Sequence, residues 1–499
     1  MKINPKWLTI FSIGYIYTPI MIFFLTWTKT YIALLCIAVS SICFFRMMKN
    51  NDESEESVKI DWLILILAIL FLIWIGYYAG WGRFVDQTLD WEKHNAVLFD
   101  LVQRGWPVFY ENNGEHSMLT YYIGQYIVPG TVGKVLHSTR IAELTLYLWN
   151  EIGLVLVFLN IIVYAKLNTY IKQFFCALML PFFSLPVWLS QFMLNRLELY
   201  NGFALQDWVV YTDSIKLQYT HNFSLLRWVS PQTITIWLIV IVFLLHRNKI
   251  NYYVFLLLPS MMFSLFAFIG ILPLAFGSAL EKILKTKSLK EWLLKMVSPE
   301  NILMILTHGI VFLIYYWGNV MSEKPASIGF MVAPYIKASP IFYFCFVCPS
   351  VLLYAAILWK TYKTDGTYVA SIVTLVALPL FQMGLYNDLL MRASIPALFV
   401  LMIDIIHFFD ISISGSTKCV SEKIYIISAI LLLLLGMYCS FRGFSDAVEG
   451  ECYTKIGNQP TWNSLEKFAN RTLNVDVDLK YNYFSYDIDD NFFFKYIGK

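Results

Sequence analysis

Apolar blocks long enough to cross a lipid bilayer recur along almost the whole sequence, and they constrain the fold more than any other feature. The first, WLTIFSIGYIYTPIMIFF, begins at Trp7. A helix needs about 20 mostly apolar residues to cross the hydrocarbon core, because each residue rises about 1.5 Å and every backbone hydrogen bond must be satisfied within the segment. The chain is therefore predicted to fold as an all-α, polytopic transmembrane helical bundle. Its net charge of +3 is too small to indicate a nucleic-acid partner.

The apolar blocks predict about thirteen transmembrane spans. In chain order they lie near Trp7–Phe24, Tyr31–Phe45, Ile60–Tyr78, Ile141–Tyr164, Phe174–Met193, Thr233–Leu245, twice within Tyr252–Leu280, Ile302–Trp317, Ile341–Trp359, Tyr368–Leu385, Ala393–Phe408 and Ile424–Tyr438. The Tyr252–Leu280 block is predicted to cross twice, because a single crossing would place the most basic loop on the opposite face from the other basic loops.

Lys and Arg residues cluster in every second loop, which fixes the predicted orientation. The positive-inside rule is satisfied when the N-terminus is cytoplasmic and the C-terminus lies outside. The long loops at 80–140, 195–232 and 320–340 then face outward, where long loops commonly carry function. The sequence predicts a transmembrane domain over residues 1–442 and an outward-facing tail over residues 443–499.

The first outward loop is predicted to carry interfacial helices. In LDWEKHNAVLFDLVQRGWPV, Asp90 suits the start of a helix, and Gly105 followed by Pro107 ends it. The apolar stripe of this helix predicts that it lies on the membrane surface. Further on, HSMLTYYIGQYIVPGTVGKVL is apolar but interrupted by Gly and Pro, which indicates a re-entrant or interfacial helix pair.

The charged side chains at the start of that helix are candidates for catalysis. Helical spacing puts Asp90 and His94 on one face and turns Glu92 away from them. A carboxylate at the membrane surface is suited to act as a general base on an acceptor hydroxyl, while nearby cations meet the charge of a phosphate leaving group. The predicted catalytic residues are Asp90, Glu92 and His94, and the predicted substrate-binding residues beside them are Arg83, Asp86 and Lys93. The alternative is that Asp90 only caps the helix and the other charges are solvated.

Two other outward regions place ionisable residues among aromatic ones. Such a mixture suits sugars, which stack on aromatic rings and hydrogen-bond to carboxylates, although interfacial aromatic residues are equally expected as a membrane belt. In LYNDLLMRASIP, Asp388 and Arg392 are four residues apart, so either they neutralise each other or Arg392 holds a lipid phosphate. The further predicted substrate-binding residues are Arg196, Asp207, Asp213, His221, Arg227, Asp388 and Arg392.

Several common catalytic motifs are missing from the sequence. It contains no phosphate-binding P-loop, no Gly-rich dinucleotide loop after a strand, no HExxH and no GxSxG between a strand and a helix. An ATP-driven pump and a hydrolase of the soluble type are therefore not predicted.

The arrangement of many spans, with an acidic motif in the first outward loop just after a transmembrane helix, resembles the GT-C superfamily of membrane glycosyltransferases. The motif here is Asp90-Trp91-Glu92, and the resemblance extends to the topology of most of the chain. It implies a GT-C-like fold, a polyprenyl-phosphate-linked or diphosphate-linked sugar donor, and a role at the reaction centre for Asp90, with Glu92 as the second acidic residue. Members of the superfamily often carry Asp-Asp, Asp-Glu or Asp-x-Asp, so the Asp-x-Glu pattern leaves the need for a divalent metal open.

These features predict a glycosyltransferase that moves a sugar from a polyprenyl-phosphate donor to a lipid, glycan or protein acceptor on the outer face of a bacterial inner membrane. The predicted partners are the lipid-linked donor, the acceptor and membrane lipids, and no cofactor is predicted apart from the open question of a metal ion. Two alternatives remain. One is a transporter or flippase of a lipid-linked glycan, and the other is a polymerase or ligase that joins whole glycans.

Overall fold

The fold is built from helices packed side by side, with short strands confined to the connections between them. The computed structural model describes residues 2–49, 57–112, 115–200, 206–212, 215–320, 329–384, 387–414, 420–450, 455–457, 464–469, 483–486, 488 and 491–499.

The helices of the first half of the described chain are α1 (Pro5–Trp27), α2 (Thr30–Lys49), α3 (Trp62–Tyr78), α4 (Asp90–Gln103), α5 (Gly124–Val135), α6 (Thr139–Tyr164), α7 (Tyr170–Phe182), α8 (Trp188–Arg196), α9 (Asn222–Val229), α10 (Ile234–His246), α11 (Tyr253–Leu257) and α12 (Leu265–Thr286). Those of the second half are α13 (Leu289–Met296), α14 (Pro299–Met304), α15 (Ile310–Val320), α16 (Tyr335–Ala338), α17 (Pro340–Val347), α18 (Leu353–Tyr362), α19 (Gly366–Ala377), α20 (Asp388–Ala393), α21 (Ile395–Ser414), α22 (Val420–Val448) and α23 (Leu465–Ala469).

The strands are short, and all of the pairs among the described residues are antiparallel. They are β1 (Lys2–Ile3), β2 (Val58–Lys59), β3 (Gln87–Thr88), β4 (Phe109–Asn112), β5 (Glu115–Leu119), β6 (Trp208–Thr212), β7 (Ile215–Gln218), β8 (Met331–Val332), β9 (Phe381–Gln382), β10 (Lys455–Gly457) and β11 (Phe484–Tyr486). They pair as β1 with β2, β3 with β10, β4 with β5, β5 with β11, β6 with β7, and β8 with β9.

The chain is a polytopic helical membrane protein. Eight helical segments of the described residues are long and apolar enough to cross a membrane, and a ninth is added if the bent pair α9 and α10 forms one span. Four more apolar helices are shorter, at 10–17 residues. Each predicted span overlaps one of these helices, but the shorter ones do not meet the length of a full crossing, so the count of about thirteen stays a prediction.

Loops that were predicted on the same side of the membrane contact one another. At one end of the bundle, Arg46 forms an ion pair with Glu300 at 2.8 Å and Arg247 forms one with Asp365 at 2.8 Å. At the other end, the first outward loop pairs with the tail through β3 and β10 and through β5 and β11. The alternating topology and the direction of the bundle across the membrane stay predictions.

The first outward loop differs from the predicted pair of interfacial helices. The helix α4 starts at Asp90 and ends at Gln103, close to the predicted limits, but its apolar residues Leu98 and Leu101 are at most 2% exposed. It packs against α5, α6, α9 and α23, so the prediction that it lies on the membrane surface is wrong. An apolar stripe identifies the buried side of a helix, but it does not distinguish lipid from protein as the neighbour.

The second predicted helix of that loop is also different. The stretch after Glu115 forms β5 and then a single helix, α5, that continues through Pro129 and Gly130. A Cβ atom at Gly133 would lie 2.5 Å from the Cβ of Ala142, and one at Gly130 would lie 3.0 Å from the Cβ of Leu101. The glycines therefore permit close packing of α5 against α6 and α4, and they do not break the helix.

Candidate functional site

Asp90 occupies the first position of α4, at the end of the bundle where the first loop and the tail meet. The N-cap residue of α4 is Leu89, which makes no side-chain capping bond, so Asp90 is not the capping residue of the alternative interpretation. Its position in the first turn still suits a negative charge, because the backbone N–H groups there are unpaired. The Asp90 side chain retains 36% of its surface exposed.

Lys93 forms an ion pair with Asp90. Its Nζ lies 3.6 Å from Oδ1 of Asp90, and its side chain is only 7% exposed. Burial raises the pKa of Asp90, but the charge of Lys93, followed by those of His94 and Arg392, outweighs burial and holds that pKa below its usual value. Burial in turn lowers the pKa of Lys93, and the charge of Asp90 more than restores it. Both groups are therefore ionised at neutral pH.

Arg392 brings a second cation to Asp90 from a distant part of the chain. It lies on α20, where its Nη2 forms an ion pair with Oδ1 of Asp388 at 2.9 Å and its Nη1 donates to the hydroxyl of Tyr122 at 2.9 Å. Neutralisation of Asp388, one of the two predicted alternatives for Arg392, therefore occurs. Arg392 also acts electrostatically on Asp90, and its predicted role in binding a phosphate stays a prediction.

Tyrosines from two segments complete this group. Tyr122, between β5 and α5, also accepts a hydrogen bond from Nε2 of Gln232 at 2.8 Å. The rings of Tyr121 and Tyr122 have centroids 3.7 Å apart, and Tyr483 meets Tyr121 edge-on at 5.1 Å. Burial raises the pKa of Tyr483 to about 12, and the charges of Lys93 and Asp90 act on the same hydroxyl. We refer to Asp90, Lys93, Tyr122, Asp388, Arg392 and Tyr483 as the Asp90 cluster.

The tail supplies Tyr483 through regular backbone pairing. The strand β11 pairs with β5 in the register Phe484 with Leu119, and the N–H of Thr120 donates to the carbonyl of Tyr483 at 2.8 Å. The preceding helix α23 is fixed as well, because the N–H of Leu465 donates to Oδ2 of Asp100 at 2.8 Å. The tail therefore holds one side chain of the cluster against the first loop.

His94 has a different role from the predicted catalytic one. Its Nε2 lies 2.9 Å from the carbonyl oxygen of Trp228, and its Nδ1 is in contact with the hydroxyl of Tyr126. A carbonyl only accepts, so Nε2 carries the proton and Nδ1 accepts from Tyr126. Burial, followed by the charge of Lys93, lowers the pKa of His94 to about 3. Neutral and engaged at both nitrogens, His94 is suited to positioning α4.

Three side chains of this region bind successive carbonyls at the end of α9. The indole N–H groups of Trp81 and Trp91 donate to the carbonyls of Leu226 and Arg227, at 3.0 and 2.7 Å, and His94 donates to the next carbonyl. The last carbonyls of a helix have no partner within it, so these donors satisfy them. They fix α4 to the point where α9 and α10 meet at a bend of 93°.

Arg83, Asp86 and Glu92 are the other predicted residues of the first loop. Arg83 pairs with Glu143 at 3.2 Å, and each side chain is 3% exposed, so this pair stabilises the junction with α6. Asp86 and Glu92 are partly exposed. The roles that were predicted for Glu92 in catalysis and for Asp86 and Arg83 in binding stay predictions.

The second outward loop forms a separate polar group against α22. Oδ2 of Asp207 accepts from the N–H of His221 at 2.9 Å, and Nδ1 of His221 accepts from the N–H of Ser224 at 3.0 Å. Burial lowers the pKa of His221; Asp207 opposes this effect and Arg227 adds to it. This polar group therefore lies at the start of α9, where Asp207 contacts the N-cap residue His221. Arg227 lies further along the same helix.

The two remaining predictions for this loop have simple outcomes. Arg196 is exposed and lies over the ring of Phe192, with its guanidinium carbon 5.3 Å from the ring centre. Asp213 lies outside the described residues.

Within the described parts of the chain, no group of three or more His, Cys, Asp or Glu side chains is arranged to hold a metal ion. The carboxylate that was predicted to lie at the reaction centre, Asp90, instead has two cations around it. A divalent ion would compete with those cations for the same carboxylate, so the residues present do not form a preorganised metal site.

Tyr122, Gln232 and Tyr483 are the residues of this site that the sequence did not reveal. Tyrosine is frequent in the chain, with 32 copies, so its presence in a loop carries little information. A search for polar groups bordering apolar runs would have included Gln232, which follows Pro231 just before the apolar run of α10.

No family model, no curated protein and no solved structure matches the chain. The class that the fold and this site define is a polytopic helical membrane protein with a charged, tyrosine-rich cluster at one end of its bundle.

Proposed function

We propose that the chain is a membrane glycosyltransferase that moves a sugar from a polyprenyl-phosphate or polyprenyl-diphosphate donor to an acceptor on the outer face of a bacterial inner membrane. The observation that supports this function best is the exposed Asp90 carboxylate, held ionised by Lys93 at 3.6 Å and by Arg392. It combines a proton acceptor with two cations that suit a phosphate, which are the two parts that such a transfer requires.

The reaction assigns a role to each of these groups. An acceptor hydroxyl attacks the anomeric carbon of the sugar, and the bond from that carbon to the phosphate oxygen breaks. The electron pair of this bond stays on the polyprenyl phosphate, which gains one negative charge, and the hydroxyl proton passes to the Asp90 carboxylate. Lys93 and Arg392 offset the charge that develops on the departing phosphate.

The lowered pKa of Asp90 is compatible with this role because it depends on the charges of Lys93 and Arg392, which a bound phosphate would share. A carboxylate with a low pKa is a weak base. A phosphate that binds to the two cations would compensate their charge and would therefore raise the pKa of Asp90. On this proposal, donor binding itself makes Asp90 a better base.

The experiment that tests the proposal compares glycans from a strain that lacks the chain. The strain is complemented with the intact protein, with Asp90→Asn, or with Glu111→Gln, a matched control whose carboxylate is exposed in the same loop on β4. Lipid-linked and surface glycans are then measured by mass spectrometry, with equal membrane levels of each protein verified.

We expect a glycan that has lost one sugar in the deletion strain, with restoration by the intact protein and by Glu111→Gln but not by Asp90→Asn. The missing mass identifies the sugar. Full restoration by Asp90→Asn would show that Asp90 has no role in the mechanism. Accumulation of a full-length lipid-linked glycan in the deletion strain would contradict the transferase and indicate a flippase, polymerase or ligase.

One observation favours the transporter alternative enough to retain it. The α9 and α10 pair is bent by 93° at Ser230–Gln232, and discontinuous helices are typical of transporter binding sites. In this chain the bend lies beside the Asp90 cluster, because Gln232 donates to Tyr122. The glycan experiment separates the two functions, since a transporter moves a complete glycan and a transferase adds one sugar.

A further inference from the structure

The hydroxyl of Tyr122 has a hydrogen-bonding pattern that points to a ligand. A tyrosine hydroxyl offers one proton and two acceptor positions. Both acceptor positions are taken, by Nη1 of Arg392 at 2.9 Å and by Nε2 of Gln232 at 2.8 Å. Arginine only donates, so the first of these bonds cannot be reversed. No described residue accepts the proton of Tyr122, and this hydroxyl can therefore bind a further group only as a donor.

The two donors to Tyr122 are themselves held in place. Arg392 is fixed by its ion pair with Asp388 at 2.9 Å, and Oε1 of Gln232 accepts from the hydroxyl of Ser264 at 3.3 Å. The ring of Tyr122 packs against that of Tyr121 at an interplanar angle of 33°, and its side chain is only partly buried. The proton is thus offered from a fixed and accessible position, as a preorganised binding group requires.

The charges of the cluster limit what the ligand can carry. The cations Lys93 and Arg392 each have a carboxylate partner, Asp90 and Asp388, so the four side chains together are neutral. A ligand with one negative charge leaves a single net charge in this partly buried group. A ligand with two or more leaves a larger uncompensated charge, which is costly where water is scarce.

We propose that Tyr122 is a ligand-binding residue of this site and that it donates its hydroxyl proton to the phosphate oxygen of a lipid phosphodiester that carries one negative charge. Lys93 and Arg392 contact the same phosphate. This inference rests on the proposed function and narrows it, because a sugar linked to a polyprenyl monophosphate is such a phosphodiester, whereas one linked to a diphosphate carries two charges.

The test measures binding to the purified full chain in detergent by intrinsic tryptophan fluorescence, in buffer without divalent metal. The probes are polyprenyl methyl phosphate, which carries one charge, and polyprenyl diphosphate of the same chain length. The proteins are the wild type, Tyr122→Phe, and Tyr170→Phe as a control, since Tyr170 is 61% exposed on α7 and distant in sequence from the cluster.

We expect the wild type and Tyr170→Phe to bind the phosphodiester at least about tenfold more tightly than the diphosphate, and Tyr122→Phe to lose about tenfold or more in affinity for the phosphodiester, as for one hydrogen bond to a charged group. Equal or tighter binding of the diphosphate would overturn the charge assignment, and unchanged affinity in Tyr122→Phe would overturn the role of the hydroxyl. If Tyr122→Phe does not fold, the ratio of the two probes in the wild type still decides the charge assignment.

The failure of this inference is distinguishable from failure of the proposed function. A preference for the phosphodiester together with full glycan restoration by Asp90→Asn would retain the ligand and reject the transfer. Restoration that depends on Asp90 together with tighter binding of the diphosphate would retain the transfer and reject the ligand.

Discussion

The two ends of the bundle each carry an arginine among carboxylates, but they differ in how completely these groups are used. Nη1 of Arg247 contacts both carboxylate oxygens of Asp365, at 3.0 and 2.8 Å, and Asp365 also accepts from backbone N–H groups at the start of α19. In the Asp90 cluster, Asp90 has one cation at 3.6 Å and remains 36% exposed.

This difference separates a structural ion pair from a candidate site. A charged group whose hydrogen-bonding positions are all satisfied by protein stabilises one arrangement of helices and has nothing left to offer a ligand. The Asp90 cluster retains an accessible carboxylate and a hydroxyl proton. The predictions below either break or sharpen this contrast.

The largest effect on stability is expected at the Arg247 end. Arg247→Ala leaves the carboxylates of Asp365 and Glu281 without their shared cation, in side chains that are 21% and 12% exposed. We expect a loss of about 3 kcal/mol in the free energy of unfolding, measured by thermal unfolding in detergent, with Lys360→Ala as an exposed control from the same end. A melting temperature equal to that of the control would remove the contrast between the two ends.

The next effect concerns the acidity of Asp90. Lys93→Met removes the strongest force that lowers the pKa of this carboxylate, so its pKa rises. In the wild type, Asp90 becomes protonated only below the pH range in which an aspartate ordinarily titrates. In the variant, it becomes protonated at a higher pH. We expect the acidic limb of the pH dependence of transfer to move upward, with turnover at neutral pH about tenfold lower because one phosphate contact is lost.

A pH profile of Lys93→Met that superimposes on that of the wild type after scaling would contradict this prediction. It would mean that the protonation of Asp90 does not control the rate.

A moderate effect on the pH dependence of stability is expected from the substitution His94→Gln. Its pKa is lowered to about 3 in the folded chain, against about 6.5 unfolded, so the unfolded chain binds more protons between these values. The stabilisation is complete above pH 6.5 and is lost as the pH falls toward 3. Between pH 7 and pH 5 we expect the wild type to lose about 2 kcal/mol more stability than His94→Gln does.

The same variant tests the role of His94 in the reaction. A positioning residue predicts reduced turnover with an unchanged pH profile of transfer. If His94→Gln abolished the basic or acidic limb of that profile, His94 would be a proton-transfer group after all.

The smallest effect is expected at Arg196. This side chain is exposed, and its guanidinium group lies over the ring of Phe192. Arg196→Ala should change the free energy of unfolding by less than about 0.5 kcal/mol and leave turnover unchanged. A clear loss of donor binding in this variant would extend the site into the second outward loop.

The sequence predicted the helical class and the position of the most informative charges. Apolar blocks report directly on helices that face lipid or core, and Asp90, Lys93, Asp388 and Arg392 were identifiable because ionisable residues next to such blocks are costly. The sequence could not predict that these four side chains lie close together, because α4 and α20 are distant in the chain and are brought together by tertiary packing.

The incorrect predictions have the same physical origin. The apolar stripe of α4 was assigned to lipid but faces protein, and the glycines of α5 were interpreted as breaks but permit close approach. His94 shares a helical face with Asp90, yet its partners Tyr126 and Trp228 come from elsewhere in the chain and determine its role. Spacing along a helix predicts which side chains share a face, but not what that face contacts.

The pairing of β11 with β5 has a consequence for how the protein matures. Residues 484–486 leave the ribosome after α1 to α22, yet the adjoining Tyr483 contacts Tyr121 and lies within the Asp90 cluster. On the proposed orientation, the tail must first be translocated before this side chain can arrive. The Asp90 cluster would therefore remain incomplete in the newly inserted helices until the tail has been translocated.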